Sequence, residues 1–149
     1  MDTDLKKISS GLEDYIEVLY LAQSSGDRLK ASELAKKLNI SRASVSEALS
    51  KLINRGLIEY KSYGEIILTP KGEKEAKKVY TKHSTIKEFF MLVLDANILE
   101  AEENACKIEH IISNDLLSKI SNYTNFCKKH KDVIDLYREY SSNKNLNKQ

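Results

Sequence analysis

The 149-residue chain carries 24 basic and 22 acidic side chains, and its formal net charge of +2 does not by itself indicate a nucleic-acid partner. Any DNA-binding surface must therefore come from the local placement of charge. The content of charged residues (31%) and of hydrophobic residues (41%) is typical of an ordinary soluble protein. No run approaches the roughly 18 consecutive apolar residues of a membrane span. Since residues 1–7 are mostly polar, we expect no secretory signal and predict a cytoplasmic protein without a membrane partner.

Helix is the predicted secondary structure for most of the chain, because the chain contains one proline and five glycines. Ser10 and Glu13 have the spacing of a capping box, which predicts a first helix that begins there and ends at residues 25–27. Two further helices are predicted at residues 31–38 and 42–55, separated by a short turn.

The second helix of this pair has a predicted cap and a predicted buried face. Ser41 is placed to cap it, and the apolar stripe on one side consists of Val45, Ala48, Leu49 and Leu52. Two β-prone runs follow, at residues 57–60 and 66–68, and the Tyr63-Gly64 pair lies between them. This arrangement predicts a β-hairpin directly after the helix pair.

The second half of the chain is predicted to be helical throughout. Thr69 is a candidate cap and Pro70 suits the first helical position, so a long helix is expected from there to about residue 95. The further predicted helices span residues 98–112, 113–123 and 133–140. The polar residues 141–149 are expected to be a frayed end.

A helix pair followed by a hairpin is the arrangement of a winged helix-turn-helix. We therefore predict a mainly α chain that begins with a winged helix-turn-helix DNA-binding domain, with a two-stranded wing, in residues 1–72. An all-helical domain follows in residues 73–149. Helix pairs also occur in proteins that never touch DNA, so the hairpin at the expected distance is what favours DNA binding.

Helical geometry predicts which side chains would reach DNA. If Val45 and Leu49 point inward, then Ala43, Glu47 and Ser50 point away, where Ala43 could contact a thymine methyl and Glu47 could accept a hydrogen bond from cytosine. The predicted DNA-contacting residues are Ser41, Arg42, Ala43, Ser44, Ser46, Glu47, Ser50 and Lys51 in the helix, with Lys61 and Ser62 in the wing. An exposed Glu47 either restricts the sequences that bind, by repelling phosphate, or is simply solvated.

A second group of side chains has the chemistry of a metal site. Asp14 and Glu17 share one face of the first helix, and Cys106, Glu109 and His110 share one face of a later helix. Together with His83 in the long helix, these carboxylates, imidazoles and a sulfur, or its backbone carbonyl, suit a divalent ion such as Mn(II) or Fe(II).

Each part of this group also has an ordinary explanation. Acidic residues such as Asp14 and Glu17 are favoured near the start of a helix by the helix dipole, and Cys106 could be a small core residue. Glu109 and His110 are harder to explain, because they interrupt an apolar stretch that should be buried, and buried polar groups need partners. A metal ion is one such partner.

Two enzymatic interpretations are less favoured. Cys106 and His110 could form a nucleophile pair, but we find no third orienting residue and no oxyanion donor in the sequence. A di-iron enzyme of the ferritin type would need two Glu-x-x-His motifs, and the chain does not provide them.

The segments that carry these features resemble, in the same order, those of the diphtheria toxin repressor / manganese transport regulator family. The resemblance covers about residues 9 to 128. It is carried by residues 12–20 (LEDYIEVLY), 44–46 (SVS), 56–58 (GLI), 68–72 (LTPKG), 82–83 (KH) and 106–113 (CKIEHIIS). Each motif is weak when it is taken alone, but the ordered set is specific.

The resemblance implies a winged helix followed by a helical metal-binding and dimerisation domain, with metal ligands shared between the two. Asp14 and Glu17 match the ligand pair of the manganese branch. The ligands used across the family match His83, Glu109 and His110. Cys106 is similar to the iron-responsive branch, whereas the manganese branch often has glutamate there. The resemblance thus implies Mn(II) or Fe(II) as co-repressor and leaves the choice between them open.

Two further differences from the family are visible. Lys87 and Glu102 differ from the second metal site of the iron-responsive branch, so the number of ions per subunit stays open. From the length of the chain we also expect no SH3-like domain of the kind that longer members carry. We predict a repressor of metal-uptake genes that binds palindromic double-stranded DNA operators as a homodimer. The alternatives are a winged-helix regulator of a small organic ligand and, less favoured, a metalloenzyme.

Overall fold

The structure, a computed structural model, describes residues 8–146, with side chains to residue 144. The polar segment 1–7 and the last three residues of the predicted frayed end, 147–149, lie outside the described residues. The chain divides into two compact units between Tyr80 and Thr81. No helix among the described residues combines the length and the apolar character needed to span a membrane.

The N-terminal unit contains the predicted helices and hairpin. Its elements are α1 (Ser10–Ser24), β1 (Leu29–Lys30), α2 (Ala31–Leu38), α3 (Arg42–Asn54), β2 (Ile58–Tyr60), a short 3-10 turn (Ser62–Gly64), β3 (Glu65–Leu68) and the first part of α4 (Pro70–Leu92). The predicted cap of α3 is confirmed, because the Ser44 amide donates to Ser41 Oγ at 3.1 Å. The predicted winged helix-turn-helix is therefore confirmed.

Two details of the predicted N-terminal unit are wrong. Ser9, not Ser10, occupies the N-cap of α1 and makes no side-chain cap hydrogen bond, because the amides of Leu12 and Glu13 already turn back to the Ser9 carbonyl at 2.9 and 3.0 Å. The sheet has three antiparallel strands in the order β1-β3-β2 rather than two. The third strand, β1, pairs Leu29 with Ile66, and two residues are too short to show an alternating pattern in the sequence.

The core of the N-terminal unit is formed by the faces that the periodicity predicted. The fully buried residues include Ile16 and Leu19 from α1, Leu34 from α2, and Val45, Leu49 and Leu52 from α3. Leu57 and Ile66 from the strand region close the same cluster. Because α3 buries one stripe against α1 and α2, its opposite face is left exposed, which is the requirement for a helix that contacts a partner.

Gly72, in the first turn of α4, is held against the strand region so closely that only glycine fits. A Cβ built there would lie 1.8 Å from the Leu57 carbonyl oxygen, and that oxygen also accepts a hydrogen bond from the Thr69 amide at 3.0 Å. We expect Gly72→Ala to lower the free energy of unfolding by about 1–3 kcal/mol, as overpacking does elsewhere. Chemical denaturation of the metal-free protein measures this change.

Gly11 provides the matched control for this prediction. It lies in α1, where no residue that the structure describes comes within 4 Å of a built Cβ, so Gly11→Ala should raise the stability by roughly 0.5–1 kcal/mol through helix propensity. Equal stabilities for the two variants would contradict the proposed close approach at Gly72.

The C-terminal unit is entirely helical in its described part. It contains the rest of α4, then α5 (Ile98–Ile108), α6 (Asn114–Lys129) and α7 (Lys131–Leu146). The predicted cap of α6 is confirmed, since the Leu116 amide donates to Ser113 Oγ at 3.2 Å. A small core of Ile86, Ala105 and Ile112 holds α4 and α5 together with the start of α6.

Four predicted helix ends in this unit are wrong. α6 continues to Lys129, beyond the predicted end at residue 123. The helix predicted to reach residue 112 ends at Ile108, because the next residues form a tight turn in which the Ile111 amide donates to the Ile108 carbonyl at 3.0 Å. α4 ends at Leu92, and Asp95 follows with a positive φ of 57°. Residues 141–146 are helical rather than frayed, since contacts one turn apart, such as Ser142 Oγ to the Arg138 carbonyl at 2.9 Å, continue α7.

Candidate metal centre and DNA-contacting surface

Three of the predicted metal ligands meet in the C-terminal unit. The ligand atoms of His83, Cys106 and Glu109 all lie within 4.8 Å of one another. His83 comes from α4 and Cys106 from α5, while Glu109 is the first residue after α5. Because the helix ends at Ile108, the turn that follows can direct the Glu109 side chain toward α4.

Glu109 is buried in a way that its protein neighbours do not fully satisfy. The residue is 1% exposed, and its Oε2 atom lies 2.7 Å from His83 Nδ1. Its other oxygen, Oε1, is buried and receives no hydrogen bond from any residue that the structure describes, although His110 Nε2 is 3.5 Å away. Burying a carboxylate oxygen without a partner is costly, so the site has the property expected of one that receives a cation.

The donor set suits a divalent transition metal. A carboxylate and an imidazole accept Mn(II), Fe(II) or Zn(II), and a thiol adds affinity for the softer ions. Cys106 is exposed rather than buried, which excludes the alternative that it is a small core residue. Glu109 is buried and His110 half-buried, as the sequence pattern predicted for this polar pair.

The opposite side of His83 carries an ion pair that the sequence did not identify. His83 Nε2 lies 3.0 Å from Glu102 Oε1, and the second oxygen of Glu102 lies 2.5 Å from Lys87 Nζ. The hydrogen bond from Lys87 lowers the pKa of Glu102 below its ordinary value, partly against the effect of burial, and His83 contributes in the same direction. The sequence does contain a signal for this ion pair. Lys87 follows His83 by four residues and Glu102 precedes Cys106 by four, so each lies on the same helix face as a predicted ligand.

Asp14 and Glu17 lie on α1 in the N-terminal unit. Glu17 is buried and Asp14 is half-buried, and their spacing places both carboxylates on one face of the helix. Their part in a metal site stays a prediction.

All ten predicted DNA-contacting residues are exposed. On α3 the buried residues are the four of the predicted stripe, so the opposite face is free of the core. Several hydroxyls on this face already bond within the helix: Ser46 Oγ donates to the Arg42 carbonyl and Ser50 Oγ to the Ser46 carbonyl, each at 3.0 Å. Each hydroxyl keeps an oxygen that can accept.

Glu47 is paired rather than simply solvated. Its carboxylate lies 2.6 Å from Lys51 Nζ one helical turn away, and the hydrogen bond from Lys51 lowers the pKa of Glu47. The Glu47 carboxylate also interacts electrostatically with the buried phenol of Tyr15 on α1. Burial raises the pKa of Tyr15, and the negative charges of Asp14 and Glu47 raise it further. Tyr15 is thus within electrostatic reach of both Asp14 on α1 and Glu47 on the exposed face of α3.

The tip of the wing carries a residue that the sequence analysis did not select. Tyr63 is 90% exposed and adopts a left-handed backbone conformation with φ of 63°, which is uncommon for a bulky residue. It lies beside the predicted contacts Lys61 and Ser62. The Tyr63-Gly64 pair is the available signal in the sequence, and by itself it predicts only a hairpin connection.

Taken together, these features define a class of protein: a winged-helix DNA-binding unit joined in one chain to a helical unit with a metal-ligand cluster. The N-terminal DNA-binding domain of iron-dependent repressors matches residues 7–66. The metal-binding and dimerisation domain of the same repressors matches residues 69–134.

Individual relatives agree with these two matches. An uncharacterised HTH-type transcriptional regulator of Methanocaldococcus jannaschii is 40% identical over 128 residues, which are 85% of this chain and 100% of that protein. The HTH-type transcriptional regulator MntR of Lysinibacillus sphaericus is 26% identical over 136 residues, covering 91% of this chain and 96% of that protein.

Solved structures extend the similarity to the fold. The manganese regulator SloR superposes with a TM-score of 0.69 at 28% identity over 77% of this chain and 54% of that one. A manganese-dependent transcriptional repressor in complex with manganese gives a TM-score of 0.71 at 28% identity, over 77% of this chain and 53% of that one. The chain thus spans about half the length of these solved regulators.

The chain belongs to the iron-dependent repressor family of metal-dependent, DNA-binding transcriptional regulators. This membership confirms the predicted class and decides against both the metalloenzyme and the regulator of a small organic ligand. The matched dimerisation domain and DNA-binding domain also agree with the predicted homodimer that binds DNA.

Proposed function

We propose that the protein is a metal-activated repressor of metal-uptake genes, which binds palindromic double-stranded DNA operators as a homodimer in the cytoplasm. Mn(II) or Fe(II) is the proposed co-repressor. The observation that carries the proposal is the buried Glu109 carboxylate, which lies among the ligand atoms of His83 and Cys106. Its Oε1 receives no hydrogen bond from the part of the chain that the structure describes.

The proposed ligands come from both units of the chain. They are Asp14 and Glu17 from α1, and His83, Cys106, Glu109 and His110 from the C-terminal unit. When bound, a divalent cation supplies the positive charge that compensates these carboxylates. Without the cation, the carboxylates repel one another and α1 is held less firmly. The recognition helices of the dimer, one α3 from each subunit, are then not kept at a spacing that matches the DNA.

The choice between Mn(II) and Fe(II) depends on Cys106. If its sulfur is a ligand, the softer ion Fe(II) is favoured over Mn(II), whereas ligation through the backbone carbonyl leaves a set of hard oxygen donors that suits Mn(II). The proximity of the Cys106 sulfur to the ligand atoms of His83 and Glu109 supports ligation through sulfur.

In the DNA complex, α3 is proposed to enter the major groove and the wing to contact the backbone. Ala43, Glu47 and Ser50 would face the bases, while Lys51 and Lys61 would contact phosphates. The remaining proposed contacts are Ser41, Arg42, Ser44, Ser46 and Ser62. Tyr63 at the wing tip is added to this set because of its exposure.

The proposal is tested by offering the purified protein sheared DNA from its own organism and sequencing what it retains. Metal-free protein with chelator is compared with protein in Mn(II), and with protein in Fe(II) without oxygen. Retention of a few palindromic sites with metal alone is the expected result, and it would also rank the two metals. Equal retention with chelator would contradict metal activation, and no retention under any condition would contradict DNA binding.

The Glu47–Lys51 ion pair leads to a separate expectation about DNA affinity. Glu47→Gln removes a negative charge from the exposed face of α3 and releases Lys51 to a phosphate. Affinity for non-specific DNA should rise several-fold, and the salt dependence of binding should steepen by about one released ion per subunit. Fluorescence anisotropy over a range of salt concentrations measures both quantities.

Glu75→Gln is the matched control for this change, because Glu75 forms a similar pair with Lys78 at 2.8 Å on α4. The control carries the same change of net charge without altering the face of α3. If both variants raised the affinity equally, the effect would come from net charge and not from the ion pair on α3.

A further inference from the structure

His83 is contacted by a carboxylate at each end of its ring. Nδ1 lies 2.7 Å from Glu109 Oε2, and Nε2 lies 3.0 Å from Glu102 Oε1. Both nitrogens of the imidazole therefore contact a carboxylate. Nδ1 contacts Glu109, a member of the proposed metal cluster, and Nε2 contacts Glu102, which is outside that cluster. The two carboxylates are therefore on different sides of the ring and need not serve the same purpose.

Glu102 differs from Glu109 in its surroundings. Its side chain is 47% exposed, and its second oxygen lies 2.5 Å from the ammonium of Lys87, whose side chain is 30% exposed. Glu102 thus already has a cationic partner, whereas Glu109 has a buried oxygen without a hydrogen bond. A second metal ion that used Glu102 would have to lie beside the Lys87 ammonium, and like charges a few ångströms apart repel strongly in a partly buried site.

We propose that the Lys87 ammonium serves as a built-in cation on the side of His83 that faces Glu102, so that no metal ion binds on that side. Glu102 is then not a ligand but a positioning residue, which accepts a hydrogen bond from His83 Nε2 and leaves Nδ1 facing the metal. Histidine ligands commonly donate their second ring N–H to a carboxylate in this way. This inference rests on the proposed metal centre at His83, Cys106 and Glu109.

The inference is tested by counting metal ions on the full-length protein. Wild type and three variants are dialysed to equilibrium against a series of Mn(II) concentrations, and manganese per subunit is measured by elemental analysis. K87E replaces the ammonium with a second carboxylate beside Glu102, E102Q removes the charge of the positioning carboxylate, and K119E is the control. Lys119 forms a comparable pair with Asp115 on α6 at 2.7 Å, away from His83.

We expect the same number of ions per subunit in wild type and K119E, with equal affinity, and one more in K87E. E102Q should bind as many ions as wild type but roughly 10- to 100-fold more weakly, as the loss of an outer-shell partner does in other metal sites. Because E102Q adds no charge cluster, it keeps the inference testable if circular dichroism shows that K87E does not fold.

The other outcomes separate the inference from the proposal on which it rests. Loss of one ion in E102Q relative to wild type would show that Glu102 is a ligand and would overturn the inference while preserving the metal centre. The wild-type number of ions in a folded K87E, or unchanged affinity in E102Q, would overturn the inference in the same way. No ion in wild type would overturn the metal centre itself.

Discussion

Glu109→Gln is expected to abolish metal-dependent DNA binding while leaving the metal-free protein at least as stable as wild type. The substitution keeps the shape of the side chain and the oxygen that meets His83 Nδ1, but it removes the charge that a cation would compensate. Mn(II) affinity should fall by more than the roughly 10- to 100-fold that outer-shell changes cause. Operator binding should then no longer respond to metal at concentrations that saturate wild type.

The stability measurement separates a ligand from an ordinary buried residue. A ligand at about 100 times its dissociation constant stabilises the native state by ~2.7 kcal/mol, so Mn(II) should raise the melting temperature of wild type and not of Glu109→Gln. Without metal, the variant relieves a buried carboxylate oxygen that has no hydrogen bond, a defect that costs about 1–3 kcal/mol. A variant that melted much lower than wild type in chelator would indicate that Glu109 has a structural role.

Glu103→Gln is the control, since Glu103 lies on α5 and pairs with Lys107 at 2.7 Å on the exposed surface. It carries the same loss of charge at a position six residues before Glu109. Its metal response should match that of wild type, because surface pairs contribute little to stability. A loss of response in both variants would mean that net charge, and not ligation, controls the activity.

Glu17→Gln is expected to separate metal binding from DNA binding. The proposed ligands of the C-terminal unit are left intact, so the variant should still bind Mn(II), with an affinity reduced by the loss of one ligand. The proposed connection to α1 would be lost, and metal should therefore no longer enhance operator binding. Equilibrium dialysis and anisotropy, carried out on the same preparation, report the two properties independently.

The glutamine variant is preferred to alanine because Glu17 is buried, and a shortened side chain would leave a cavity. Glu13→Gln is the matched control, since Glu13 lies one turn earlier on α1 and was not assigned as a ligand. Retention of a full metal response by Glu17→Gln would remove Glu17 from the proposed site. Complete loss of metal binding would instead mean that the C-terminal cluster does not bind the ion without α1.

The DNA-binding unit could be predicted from the sequence in most of its features. The stripe of Val45, Leu49 and Leu52 is buried as predicted, because the spacing of three and four residues is set by the helix itself. The cap at Ser41 forms a hydrogen bond to a backbone amide three residues along, so it too is a local event. Local signals of this kind do not depend on how the rest of the chain packs.

The residue types of the metal cluster could be predicted from the sequence, but the partners of its charged side chains could not. The sequence identified Glu109 as a polar residue in an apolar stretch, yet the contact of its Oε2 with His83 depends on α4, where His83 lies 26 residues earlier along the chain. The pairing of Glu102 with Lys87 and His83 is likewise formed between two helices. Many partners for these charges were possible until the helices were packed.

The sequence by itself determined the order of the helices, the identity of the exposed face of α3 and the candidate ligands, because these features depend on neighbours within one or two helical turns. The tertiary structure decided that β1 joins the sheet through Leu29 and Ile66, that Gly72 touches the Leu57 carbonyl, and that Lys87 neutralises Glu102. Each of these three contacts joins groups from separate elements, which meet only when the elements pack. Close contact and burial then select one partner among the many that the sequence allows.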